Sequence, residues 1–323
     1  MIDRIEMVDL GGLPQKVHIK SLDSKNPILL FLHGGPGVCN RHSILQHHAD
    51  LLDTFTIATW DQRGSGGSYR GARPETLTIQ LLTDDAHELV LWLCKEFRKD
   101  KVFIIGGSWG SLLGAKLATQ YPEQIAAFVG FGQFVNGAMN EELSYKFALE
   151  AAQAAGDGKA VKALEKLGAP VMGVYKGGHG GMMIQRRIMM KYGGYSQDPG
   201  KRNYVSSMVI PMVRSGEYSL KDLWGLARGH TSVLKAMWPE IGATDLAATC
   251  ADFKMPVFIF DGRLDQNTPA ALVQDYFGCI HAPHKELIWF ENSGHNPMND
   301  EPEKFKTLLR QRLTQIKESE RNV

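Results

Sequence analysis

Ser108 stands in Gly106-Gly107-Ser108-Trp109-Gly110, and no other serine in the chain has glycine both two residues before it and two after it. The apolar run Val102 to Ile105 leads into this segment, and a stretch rich in Leu and Ala follows. That pattern describes a serine on a tight strand-to-helix turn. The turn lifts the hydroxyl above the sheet, and side chains at the flanking positions would collide with neighbouring backbone. The helix behind it turns its N-terminal N–H groups and positive dipole end toward the same spot. A serine hydroxyl is a weak nucleophile at neutral pH, so it needs a base, and the base needs an orienting acid. Both occur downstream, in Asp261-Gly262-Arg263-Leu264-Asp265 and in Ser293-Gly294-His295, each after an apolar run.

The acid has two candidates. Asp265 is preferred over Asp261, which sits at a strand end and serves the turn. His295 is preferred as base because it lies past the carboxyl end of the last apolar run, where ligands bind in open α/β sheets. His281 and His284 precede that run and belong to its other end. The third requirement is a pair of N–H donors for the developing oxyanion. His33-Gly34-Gly35-Pro36-Gly37 follows the run Ile28 to Leu32, so Gly35 is the expected first donor, with Gly34 in reserve and the amide of Trp109 as the second. His33 is read as a brace for this loop. Phosphate binding is not indicated, since no G-x-x-x-x-G-K-[ST] occurs. Metal binding is not indicated either. His42, His47 and His48 are spaced i, i+5, i+6 and do not share a helical face, and no H-E-x-x-H occurs.

Seven runs read as strands: Val17 to Ile19, Ile28 to Leu32, Phe55 to Trp60, Val102 to Ile105, Ala127 to Phe131, Val257 to Phe260, and Leu287 to Phe290. Most are continuously apolar, as strands buried on both faces of a mainly parallel sheet are. Amphipathic helices lie between them. Thr78 to Phe97 is one, with Thr78 as N-cap, and Glu301 to Ile316 is a closing helix. Strand–helix alternation predicts an α/β fold with an open, mostly parallel central sheet flanked by helices. It breaks between about Val135 and Asp245, where helical patterns (Glu141 to Ala155, Ala160 to Leu167) and glycine punctuation (Gly177 to Gly181, Gly193-Gly194) replace it. Residues 1–134 and 246–323 are therefore expected to form one catalytic domain, with 135–245 inserted as a helical cap. The cap holds nine of the thirteen methionines (139, 172, 182, 183, 189, 190, 208, 212 and 237), and they either line a pocket or fill the cap's own core.

Composition excludes several classes. The chain has 323 residues, 43% hydrophobic and 22% charged, which is ordinary for a globular protein. Lys and Arg number 36 against 35 Asp and Glu, so the basic excess of a nucleic-acid binder is missing. No apolar run approaches the roughly 20 residues of a membrane span. Nothing at the N-terminus resembles an export signal, so the protein is expected in the cytoplasm. The four cysteines (39, 94, 250 and 279) are scattered, and reduced thiols are expected.

The motifs together resemble the proline iminopeptidase (prolyl aminopeptidase) family of α/β-hydrolases. The matching segments are His33 to Gly37, Asp61-Gln62-Arg63-Gly64-Ser65-Gly66-Gly67-Ser68, Gly106 to Ser111, Asp261 to Asp265, and Gly294-His295. The resemblance implies an α/β-hydrolase fold with Ser108 as nucleophile, Asp265 as acid, His295 as base, and Gly35 with Trp109 as oxyanion donors. It implies no cofactor, a structural role for Asp61, Gln62 and Arg63, and a short peptide or small molecule as substrate. In the family, acidic cap residues near a Trp-Glu segment hold the free substrate amine. Here Glu217, in Gly216-Glu217-Tyr218, and Glu240, in Met237-Trp238-Pro239-Glu240, are the candidates, although neither segment copies that pattern. The expected activity is release of an N-terminal Pro or small apolar residue through an acyl-enzyme. The alternative is hydrolysis of an ester, lactone or small amide without amine recognition. A hydrolase-fold binding protein with idle residues is a third reading, disfavoured because all three members of the relay are available. Relatives with an Asp nucleophile, such as epoxide hydrolases and haloalkane dehalogenases, are disfavoured because the turn carries Ser.

Overall fold

Side chains alternate between the two faces of a strand, so an unbroken apolar run feeds two cores at once. In β3 (Ile28–Leu32), residues Ile28, Leu30 and Leu32 join one buried cluster, and Leu29 and Phe31 join the other. β5 (Val102–Gly107) divides in the same way, with Val102 and Ile104 on one side and Phe103 and Ile105 on the opposite side. The remaining strands are β1 (Ile2–Leu10), β2 (Leu13–Ser21), β4 (Thr56–Trp60), β6 (Ile125–Phe131), β7 (Val257–Gly262) and β8 (Lys285–Phe290). They form one eight-stranded sheet in the order β1-β2-β4-β3-β5-β6-β7-β8, parallel from β4 to β8 and antiparallel at the β1–β2 and β2–β4 pairs. The architecture is that of an α/β-hydrolase. The structure is a computed structural model that describes residues 1–196 and 210–321; Met208 lies outside the described residues.

The helices are α1 (Arg41–His47), α2 (Ile79–Phe97), α3 (Trp109–Gln120), α4 (Gly137–Ala154), α5 (Gly158–Leu167), α6 (His179–Lys191), α7 (Ile210–Arg214), α8 (Leu220–Gly242), α9 (Leu246–Thr249), α10 (Ala270–Cys279), α11 (Pro297–Asp300) and α12 (Pro302–Arg321). α2, α3 and α10 cover one face of the sheet, and α1 and α12 cover the other. Thr78 caps α2 as expected, accepting a hydrogen bond from Leu81 N at 3.0 Å. Among the described residues no helix is long and apolar enough to cross a membrane, and all four cysteines are free.

Two strands differ from the sequence reading. β1 is not among the expected runs because it buries its side chains on one face only and so alternates apolar with polar residues. It pairs with β2 through the two-residue turn Gly11-Gly12, both at positive φ (+56° and +70°), which is the glycine signature of a tight hairpin. β8 is the last strand of the sheet and is half-buried over most of its length rather than buried on both faces.

Helices α4 to α8 all leave the sheet between β6 and β7. Of these, α4, α5, α6 and α8, with Tyr175 from the loop before α6, build a separate apolar cluster that includes Ala148, Ala152, Leu164, Met182, Met189 and Leu234. α8 is fastened to the sheet domain at several points. A Cβ at Gly225 would lie 2.0 Å from Gly66 O, and one at Gly229 would lie 2.0 Å from Gly64 O, so glycine is needed for the helix to approach the 64–68 turn this closely. Asp222, half of the capping box that opens α8, also accepts from Arg41 at 2.7 Å and Lys16 at 2.6 Å.

Candidate active site

The sheet order reverses at β3, whose neighbours β4 and β5 leave in opposite directions. The crevice beyond the carboxyl ends of strands at such a point is where open α/β sheets bind ligands. β5 ends at Gly107, and Ser108 follows at φ 56°, ψ −122°, one of three non-glycine residues with positive φ among the described residues. Two hydrogen bonds and the start of a helix hold this strained turn. Ser108 N donates to Phe131 O at 3.0 Å, Ser111 Oγ donates to Ser108 O at 2.6 Å, and the helix α3 starts at the next residue. The two flanking glycines are explained sterically. A Cβ at Gly106 would sit 2.1 Å from Gly110 O, and a Cβ at Gly110 would sit 2.1 Å from Leu32 O and 2.8 Å from His33 O. Every one of these contacts is with backbone, which cannot step aside. Gly110→Ala is therefore expected to cost about 3 kcal/mol or more of folding stability, as overpacking against a fixed wall does, and urea unfolding of the variant checks it.

The loop after β3 is braced from below. His33 is 1% exposed. Its Nδ1–H donates to Gly34 O at 2.8 Å, and its Nε2 accepts from Gln62 N at 3.2 Å. Gln62 donates in turn to His33 O at 3.1 Å and accepts from Trp109 Nε1 at 2.8 Å. The expected brace is thus tied to the residue after the serine. Asp61 holds Arg41 and Gly67 N, and Arg63 holds Asp85 and Leu10 O. Burial lowers the His33 pKa from its ordinary 6.5 to about 4, against a raising contribution from the Gly34 hydrogen bond. The unfolded chain therefore takes up a proton that the folded one refuses between those values. The stability His33 preserves is complete above pH 6.5 and is lost as pH falls toward 4, up to about 3 kcal/mol. Urea unfolding across that window should show a shallower pH dependence for His33→Asn than for wild type.

Asp265 and His295 meet beyond the carboxyl ends of β7 and β8. His295 Nδ1 lies 2.8 Å from Asp265 Oδ2, with Asp265 fully buried and His295 5% exposed. Asp265 Oδ1 accepts from Asn267 N at 2.7 Å and Thr268 N at 3.0 Å, and Oδ2 accepts from Thr268 Oγ1 at 2.6 Å. With both carboxylate oxygens fixed as acceptors, Nδ1 of His295 carries its proton and Nε2 is left as the acceptor. Asp261, the rival acid, lies inside β7. Its Oδ1 accepts from Gln133 N at 3.2 Å, and burial first, then the nearby Asp265 charge, push its carboxyl well above the ordinary range. His281 is exposed beside Asp252, and His284 rests against Phe258; neither lines the crevice.

Ser108 and His295 both line one cavity of about 280 Å³. Gly34, Gly35 and Trp109 line it too, and a Cβ at Gly34 would fall 3.3 Å from Ser108 Cβ. Its apolar wall includes Phe31, Phe131 and Phe134 from the sheet domain, and Met182, Met183, Met190, Leu234 and Trp238 from α6 and α8. Each expected role is filled by some methionines, with Met183 and Met190 lining the cavity and Met189 in the cap's own cluster, but Met237 packs into the main core and Met139 and Met172 are exposed. Ser108 Oγ is not hydrogen-bonded to His295. Nε2 lies 3.1 Å from Asn267 Nδ2 instead.

Glu217 and Glu240 do not join this cavity. Glu217 pairs with Lys20 at 2.8 Å and lies beside His18, both on β2. Burial raises its pKa, but His18 and Lys20 outweigh that and bring it to about 2. Glu240 Oε2 accepts from Ile79 N at 3.0 Å, at the N-terminus of α2, where an anion is favoured. Sequence reasoning missed Asn267 and Thr268, although Asp265-Gln266-Asn267-Thr268-Pro269 has the composition of a turn closed by an aspartate side chain. It also missed Arg186 of α6, which lines the cavity and is held by Glu141 and Gln185; nothing local signals that pairing.

Comparison with known proteins agrees with this fold. The family described as alpha/beta hydrolase fold matches residues 27–177. The probable aminopeptidase YbaC of Bacillus subtilis is 27% identical over 303 residues, 94% of this chain and 93% of that protein. A proline iminopeptidase of Clostridium botulinum is 25% identical over 289 residues, 88% and 89% of the two chains. The crystal structure of a proline iminopeptidase from Mycobacterium smegmatis superposes with a TM-score of 0.66 at 19% identity, covering 98% of each chain.

Proposed function

For a chain with the α/β-hydrolase fold, we propose a serine hydrolase that works through an acyl-enzyme and removes an N-terminal Pro or small apolar residue from short peptides in the cytoplasm. One observation carries the chemistry: Ser108 and His295 line a single cavity, and His295 is paired there with the buried Asp265, the three residues lying on three separate loops. In the reaction, Ser108 Oγ attacks the substrate carbonyl as its proton passes to His295 Nε2. The oxyanion takes hydrogen bonds from the amides of Gly35 and Trp109. The imidazolium then protonates the leaving amine, and water, activated by the same nitrogen, clears the acyl group from Ser108. Asp265 holds the imidazole in the required tautomer and balances its charge throughout. The aromatic and methionine wall of the cavity supports an apolar acyl group, and the near full-length likeness to a probable aminopeptidase supports the peptide substrate.

The second reading keeps this mechanism and changes the substrate to an ester, lactone or small amide without a free amine. It is favoured by the engagement of Glu217 and Glu240 elsewhere, which leaves neither available to an ammonium group. Pro-, Ala- and Leu-arylamides, run beside short-chain nitrophenyl esters, separate the two. Arylamide turnover that disappears in Ser108→Ala supports the aminopeptidase. Ester turnover alone selects the second reading. Equal background in wild type and Ser108→Ala on every substrate overturns both.

A further inference from the structure

The nitrogen that should receive the serine proton is covered by another side chain. His295 Nδ1–H is committed to Asp265, so Nε2 carries a lone pair, and the only group that can satisfy a lone pair is a donor. Asn267 Nδ2 supplies one at 3.1 Å. Asn267 is held in place by its own backbone, with N donating to Asp265 Oδ1 at 2.7 Å and O accepting from Asn140 Nδ2 at 2.8 Å. Asn140 is 3% exposed and belongs to α4, so the helical insertion grips the loop that carries the acid. Ser108 Oγ, which lines the same cavity, has no hydrogen bond to Nε2.

We propose that Asn267 is a positioning residue that caps the base. In the resting protein its amide N–H occupies the Nε2 lone pair. Ser108 can hand over its proton only when the Asn267 side chain turns aside, its backbone staying fixed by Asp265 and Asn140. The inference rests on the serine-hydrolase reading of Ser108 and His295. Asn267 acts on the reaction only through the imidazole.

The test uses Asn267→Ala, with Asn267→Ser as the substitute if the alanine variant does not fold. The first measurement is the rate at which a fluorophosphonate labels Ser108. Losing one neutral hydrogen bond that competes with the serine should speed labelling about two- to tenfold. A residue that merely supports the loop would slow labelling when removed. The second measurement is the ¹⁵N resonance of His295 Nε2 in histidine-labelled protein, assigned with His295→Gln. It should move downfield in the variant while the imidazole stays in its Nδ1–H form. Labelling that is slower or unchanged, or an unmoved Nε2 resonance, overturns the proposal. The resonance reads the contact without any turnover, so an unlabelled wild type, which would defeat the serine-hydrolase reading, is a separate result.

Discussion

Ser108→Ala is expected to lower kcat/KM by about 10⁶-fold on whichever substrate the wild type accepts, leaving only the residual rate that oxyanion donors and binding supply. The size follows from the proposed role of nucleophile. Without the hydroxyl no acyl-enzyme can form, and His295 has no proton to take. The fold should be indifferent to the change, because the strained turn is held by the backbone of residue 108 and by Ser111, not by Oγ. The check is steady-state kinetics on purified variant beside a thermal melt. A residual activity within tenfold of wild type would mean that a different group attacks the carbonyl. A collapse in melting temperature would mean that the hydroxyl has a structural role this account omits.

Asp265→Asn should cost about 10⁴-fold in kcat with much less effect on KM. Asn267 N and Thr268 N both donate to Oδ1 of this side chain, so the new amide must keep its oxygen there and turn its NH₂ toward His295 Nδ1. Nδ1 then becomes the acceptor, and the proton moves to Nε2. An imidazole protonated at Nε2 cannot receive the serine proton. The outcome distinguishes the two candidate acids as well. Asp261→Asn leaves the tautomer alone and removes a carboxyl whose charged form burial already disfavours, so its effect on kcat should be far smaller. Equal losses in the two variants would contradict the assignment of Asp265 as the partner of His295.

The elements that position the site were largely legible because their causes are local. Apolar runs marked seven of the eight strands, and Thr78 marked the start of α2. The glycines around Ser108 announced a turn whose close contacts lie within a few residues or on the adjoining strand. β1 went unread because its signal is an alternation closed by a glycine pair, weaker than a continuous run.

What the amino-acid order settles by itself is therefore the turn at Ser108 and the alternation of strand and helix, since steric exclusion and burial act on neighbouring residues. The partners of long-range side chains were settled only by folding. Asp265 rather than Asp261 meets His295, across an interval of 30 residues. Glu217 is drawn to β2 and Glu240 to the start of α2, so neither lines the cavity, whereas Asn267, Arg186 and Asp300 do. A charge or an amide goes to whichever donor or acceptor the packed chain brings within about 3 Å of it, and that distance is set by the meeting of distant loops rather than by anything beside the residue in the sequence.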